Sequence, residues 1–166
     1  MKKLYLMRHA KSDWAEPNKI DFERGLNARG KKDALKMCSI IQNLKEKPNH
    51  FFISTANRAR KTIEPICANL TSRITYTDRL YSFTGSDYVH FIKEIPQKYD
   101  SILLLGHNPS VEFLVSFLLN SDSGSIRIPT ASLLKIEVEI DSWLELEAGS
   151  GILIYFLHPK VVSLIV

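Results

Sequence analysis

A chain of 166 residues, 45% of them hydrophobic and 24% charged, is long enough to bury a substantial core and is expected to form one domain over residues 1–166. The formal net charge of +4 is spread over many positions, with no basic run of the kind that makes a nucleic-acid-binding tail, so a basic pocket for a small anion is expected and a nucleic-acid partner is not. No apolar run approaches the ~20 residues that span a membrane, and the first strand begins within three residues without a signal-peptide core, which predicts a cytoplasmic chain with no membrane partner.

The opening stretch KKLYLMRHAKSD holds an apolar strand, Leu4 to Met7, that runs straight into Arg8 and His9 and then Lys11 and Ser12. Cationic and nucleophilic groups therefore gather where a buried strand ends, the edge at which open α/β sheets bind ligands. From Trp14 to Gly25 the chain is charge-rich, contains Pro17 and lacks periodicity, so it reads as a loop placed to cover that stretch. Asn27 is an expected N-cap for a helix whose apolar positions Ala34, Met37, Cys38, Ile41 and Leu44 recur at helical spacing until Pro48. A second strand, Phe51 to Ile53, again ends in polar residues, Ser54, Thr55, Asn57 and Arg58. The helix that follows presents Ala59, Ile66, Cys67 and Leu70, and Pro65 predicts a bend or two pieces. Ile74 to Thr77 reads as a third strand, and Ser86 as the cap of a helix through Ile95.

Ser101 to Leu105 has the unbroken apolar pattern of a strand buried on both faces. Gly106, His107, Asn108 and Pro109 follow, with Asn108 expected as N-cap and Pro109 at the first position of a helix that is apolar at Val111, Leu114, Val115 and Leu118. His107 thus lies between a strand end and a helix N-terminus, a place that favours an anion. Ala131–Ile140 and Ile152–Leu157 read as a closing pair of strands, separated by a stretch that carries the late acidic residues Asp141, Glu145 and Glu147. The apolar tail, Val161, Val162, Leu164, Ile165 and Val166, is too short to insert in a membrane and is expected to pack on the sheet or a neighbouring subunit, with the chain a monomer or a weak dimer. Cys38 and Cys67 lack metal-ligand spacing and read as reduced core thiols. Strands alternating with helices at this spacing predict an α/β/α sandwich of three layers around a mostly parallel central sheet, with His9, Arg58 and His107 at one edge.

LMRHAKSDW near the start, STANRARKT in the middle and LLLGHNPSVEFL later, each after a predicted strand, resemble the motifs of the histidine phosphatase superfamily, and within it the small bacterial phosphohistidine phosphatase branch. The resemblance follows the order of nearly the whole chain and implies a phosphoglycerate mutase-like fold. It implies that His9 is the nucleophile, that Arg8 and Arg58 bind phosphate and that His107 completes the pocket, with no metal and no cofactor. The chemistry is coherent on its own terms. Two guanidiniums match phosphoryl oxygens bidentately and neutralise the dianion, while a neutral imidazole attacks phosphorus in line and forms a phosphohistidine that water hydrolyses.

Ser12 and Asn108 stand either as further phosphate donors or as local turn and cap residues. Lys11, Arg24 and Arg29 stand either as solvated cations or as part of the basic pocket, Arg60 and Lys61 read as solvated, and His50, His90 and His158 lack catalytic company. Relatives that cleave alkyl phosphates carry an acid after the middle motif, for which Asp78 is the nearest match and a turn residue the competing reading. A missing acid favours a phosphoramidate, so the expected substrate is the phosphohistidine of a phosphorylated protein, or a small phosphate ester. The competing functions are a phosphoglycerate-mutase-like phosphomutase, disfavoured by the short chain, and an inactive phosphate- or phosphoprotein-binding module.

Overall fold

The computed structural model describes residues 1–70, 73–122 and 124–164. Its order is β1 (Lys2–Arg8), α1 (Ala28–Asn43), β2 (His50–Ser54), α2 (Asn57–Ile63), β3 (Ile74–Thr77), α3 (Gly85–Lys93), β4 (Ser101–Gly106), α4 (Ser110–Leu118), β5 (Leu133–Val138), β6 (Gly151–Leu157) and α5 (Pro159–Val162). The six strands make one sheet in the order β3-β2-β4-β1-β5-β6. The four on the β3 side run parallel, with Leu6 of β1 beside Leu104 of β4 and Phe52 of β2 beside the same Leu104. β5 pairs antiparallel to both β1 and β6, as expected for a closing pair.

Alternation along the strands creates two cores. Leu4, Leu6, Ile102 and Leu104 point to one face, where α3 and α4 bring Tyr88, Ile92, Val111, Leu114 and Leu118. Tyr5, Met7, Leu103 and Leu105 point to the other, against Met37, Cys38 and Ile41 of α1 and Ala59 and Ile63 of α2. Central strands buried on both faces explain the unbroken apolar runs in the sequence. The result is a mixed α/β fold of three layers.

Local signals mostly decide the element boundaries. The Asn27 side chain accepts a hydrogen bond from the Gly30 amide at 2.8 Å and caps α1. Pro65, which has no amide hydrogen, divides the next segment into α2 and a 3-10 stretch, Glu64–Asn69. Two expected caps are corrected. α3 starts at Gly85 with Thr84, not Ser86, in the cap position. α4 starts at Ser110 with Pro109 in the cap position, and the Asn108 amide is committed elsewhere. Within the apolar tail Val162 joins the core beside α1 and Leu164 is exposed, while Ile165 and Val166 lie outside the described residues. Among the described residues no helix is long and apolar enough to cross a membrane.

Candidate active site

Three neighbouring parallel strands end at one edge: β1 at Arg8, β2 at Ser54 and β4 at Gly106. Residues far apart in the chain therefore meet just beyond it. The His9 amide donates to the Gly106 carbonyl at 3.1 Å, and the Ala10 amide to Thr62 Oγ1 at 2.9 Å, while the Thr62 hydroxyl donates to the Arg58 carbonyl at 2.7 Å. The turn after β1 is thereby tied to both β4 and α2. Close approach finishes the placement. A Cβ on Gly30 would lie 2.1 Å from the Lys11 carbonyl oxygen, and one on Gly106 would lie 1.9 Å from the Tyr88 hydroxyl, which itself receives the His107 amide at 3.1 Å.

His9 is buried, and its Nδ1 lies 2.7 Å from the Ala10 carbonyl oxygen. A carbonyl only accepts, so Nδ1 carries the proton and Nε2 keeps its lone pair. That lone pair faces Arg58 Nε at 3.3 Å, and the same N–H lies 3.2 Å from His107 Nδ1. His107 Nε2 in turn donates to Ser54 Oγ at 2.8 Å. One guanidinium N–H thus fixes both imidazoles in neutral tautomers, their ring centroids 4.9 Å apart. Burial first, and then the cations Arg58 and Arg8, push His9 down to about 3; burial, the neighbouring His9 and the same cations push His107 down to about 2. Both rings are uncharged at neutral pH.

Arg8 Nη1 donates to the Ile128 carbonyl at 2.7 Å, an oxygen that also receives Asn108 Nδ2 at 3.0 Å, and the Ile128 amide donates to Glu112 Oε1 at 2.9 Å. Arg8 is therefore aimed by a loop pinned from both sides, and its buried Nε has no hydrogen-bond partner among the described residues. Burial lowers its proton affinity, against the pull of Glu112. A cleft of about 470 Å³ opens over these groups, lined by Arg8, His9, Lys11, Ser12, Trp14, Asp21, Arg58, Phe83 and Thr130. Other concavities are lined by residues outside this constellation, among them an apolar one between α1 and the Glu64–Asn69 stretch.

The structure brings Arg8, His9, Arg58 and Ser12 to the cleft and His107 directly beneath it. His107 Nδ1 accepts from Arg58 and its N–H is spent on Ser54, so it orients the guanidinium. Asn108 neither caps α4 nor lines the cleft; it steadies the carbonyl that holds Arg8. Ser12 lines the cleft, with its hydroxyl accepting from Trp14 Nε1 at 2.9 Å. Asp78 is exposed, accepts from the Thr55 hydroxyl and is not a lining residue. Arg24 is 4% exposed: it stacks 4.1 Å over the Trp14 ring and donates to the Glu16 and Pro17 carbonyls, stapling the loop from Trp14 to Gly25.

A sequence profile of the histidine phosphatase superfamily (branch 1) matches residues 4–88, just over half of the chain. The chain belongs to this superfamily. The match holds Arg8, His9 and Arg58, while His107 lies beyond it. An uncharacterized chloroplastic protein of Arabidopsis thaliana is 28% identical over 161 residues, which is 90% of this chain and 72% of that one. An uncharacterized protein of Mycobacterium tuberculosis is 29% identical over 164 residues, 93% of this chain and 100% of the relative. Among solved structures, one named as a candidate phosphohistidine phosphatase SixA from Agrobacterium tumefaciens has a TM-score of 0.79 at 28% identity and covers 95% of this chain and 98% of its own.

Beyond the motifs by which the superfamily is recognised, the site uses residues that sequence reasoning missed. Asp21, in a 3-10 turn of the covering loop, takes both outer nitrogens of Arg58: Nη1 donates to its carbonyl at 2.7 Å and Nη2 to Oδ2 at 3.0 Å. Tyr81 donates its hydroxyl to the same Oδ2 at 2.8 Å, and its ring stands edge-on to His107. The available signal for Asp21 was a carboxylate in a loop that directly follows the RH stretch. Tyr81 had none, being one aromatic among several in a weakly patterned segment.

Proposed function

We propose that this protein is a phosphatase that takes a phosphoryl group onto His9 Nε2 and passes it to water, acting on the phosphohistidine of a protein or on small phosphoesters. The observation that carries this reading is the locked tautomer of His9. Its proton is held at Nδ1 by the Ala10 carbonyl, so Nε2 keeps its lone pair, which accepts from Arg58 Nε at a cleft that Arg8 and Arg58 also line. A buried, uncharged imidazole is a nucleophile at neutral pH without first losing a proton, and fixed guanidiniums meet the charge that spreads over the equatorial oxygens. As the phosphoryl group arrives, the Arg58 N–H that now faces Nε2 turns its donor strength to a phosphoryl oxygen, and the lone pair is free to bond to phosphorus. His107 supports the step from below by holding Arg58 in plane.

Phosphohistidine suits this site because its imidazole leaves more readily than an alkoxide, and because the similar Agrobacterium structure carries that substrate in its name. The reading is tested with p-nitrophenyl phosphate and a phosphohistidine-bearing peptide in the presence of EDTA. Wild-type protein is expected to release phosphate and to accumulate an acid-labile phosphoenzyme on rapid quenching. His9→Ala is expected to abolish both, and undiminished turnover in that variant would overturn the assignment.

A further inference from the structure

We propose that Asp21 is the catalytic proton carrier of this site, its Oδ1 giving a proton to the leaving atom and later taking one from the attacking water. The proposal rests on the phosphatase reading above and adds the acid that the family motifs leave unassigned. Among the residues lining the cleft with His9, Asp21 is the sole carboxylate within the described residues. Asp78 is held by Thr55 outside the cleft, and Glu112 is occupied behind Arg8 by the Ile128 amide.

The geometry divides the two oxygens of Asp21 between two tasks. Oδ2 is anchored, 3.0 Å from Arg58 Nη2 and 2.8 Å from the Tyr81 hydroxyl, while the Asp21 carbonyl holds Arg58 Nη1 at 2.7 Å. Oδ1 has no hydrogen-bond partner among the described residues, and the side chain is 43% exposed, so this oxygen is available to a bound molecule. The anchor is the same guanidinium whose Nε points at His9 Nε2, so one planar group ties the carboxyl to the nucleophile, and both line the same cleft.

The protonation state follows from what is bound. In the free protein burial acts to raise the Asp21 pKa, but the Tyr81 hydroxyl and the Arg58 charge outweigh it and hold the carboxyl below its usual value. A phosphoryl dianion brings like charge beside the carboxyl and draws Arg58 donors onto itself, and both changes raise its affinity for a proton. In the first step the Nε2 lone pair bonds to phosphorus. The bond from phosphorus to the leaving nitrogen or oxygen breaks with its electron pair on that atom, and the Oδ1 proton joins it. In the second step water oxygen bonds to phosphorus, the P–Nε2 bond returns its pair to His9, and the water proton goes to Oδ1, which restores the starting acid.

A general acid matters in proportion to the basicity of the group that leaves, and the test uses that dependence. Wild type, Asp21→Asn and Asp21→Glu are compared on p-nitrophenyl phosphate, whose phenolate leaves unaided, and on phenyl phosphate, whose phenolate is more basic. Asp21→Asn is expected to lose roughly 100-fold or more in the phosphorylation rate on phenyl phosphate and only a few-fold on p-nitrophenyl phosphate. Asp21→Glu is expected to keep the wild-type ratio between the two substrates at a lower rate. Equal losses on both substrates would overturn the proposal and leave Asp21 as a positioning residue for Arg58, and unchanged rates on both would remove it from the reaction. Failure of the underlying reading is distinguishable, because wild-type protein would then form no phosphoenzyme at His9 on either substrate.

Discussion

At Arg58 one side chain performs several tasks that depend on its shape as much as its charge. Its Nε serves two imidazoles, at 3.3 Å and 3.2 Å, while both terminal nitrogens are held by Asp21. A lysine supplies the same formal charge as a compact ammonium on a flexible stem, and it cannot bridge two ring nitrogens while presenting a planar fork to a phosphoryl group. Arg58→Lys is therefore expected to fold, to lose roughly a hundredfold or more in kcat/KM on p-nitrophenyl phosphate and to weaken vanadate binding. Both follow from steady-state kinetics with and without vanadate. Retention of wild-type affinity and rate would mean that charge alone suffices, which the shared Nε contact contradicts. Arg8 is aimed differently, by a single carbonyl at Ile128 that Asn108 and Glu112 hold in place, so the two arginines draw their orientation from separate sets of partners.

Among the elements, the first turn of α1 shows how packing can reverse an intrinsic preference. Alanine is a better helix former than glycine by up to about 1 kcal/mol, so Gly30→Ala on an exposed helix would stabilise. Here a Cβ would meet the Lys11 carbonyl oxygen at 2.1 Å, and that oxygen belongs to backbone that also receives the Asn27 amide. A rigid neighbour has no side-chain rotation with which to yield, so the substitution is expected to cost about 1–3 kcal/mol in urea unfolding and to slow turnover by shifting the turn that carries His9. A neutral or stabilising result would show that α1 can slide without disturbing the site. The elements themselves were legible where the controlling interaction is local: the Asn27 cap, the break at Pro65 and the strand from Ile74 to Thr77 all appear as read. Arg8, His9, Arg58 and His107 were legible because each stands at or soon after the end of a strand whose apolar run stops abruptly. Asn108 misled because a distant carbonyl competed for its side chain. Asp21 and Tyr81 escaped because their contact joins loop residues sixty positions apart, and no periodicity encodes such a meeting.

Across the whole molecule, the burial that keeps His9 uncharged at neutral pH also sets a cost in acid. His9 and His107 are held near 3 and 2 against an ordinary value of 6.5, chiefly because the sheet edge and its covering loop exclude water. In the unfolded chain both titrate near 6.5, so below that pH the unfolded state binds protons that the folded state refuses. The sign is fixed: stability is fully present above about 6.5 and falls as pH drops toward the folded values. His50 and His158 are shifted down as well, by burial first, and add in the same direction. Between pH 7 and pH 5 carboxylates stay largely ionised in both states, which leaves the imidazoles as the main contributors in that window. Two groups so strongly depressed imply a loss of about 4 kcal/mol from pH 7 to pH 5, measurable as a fall in the urea midpoint. Vanadate, bound between Arg8 and Arg58, is expected to raise the midpoint at pH 7 by mass action. A midpoint that stays flat from pH 7 to pH 5 would mean that the buried rings accept protons in the folded state, and the neutral nucleophile would be lost with them.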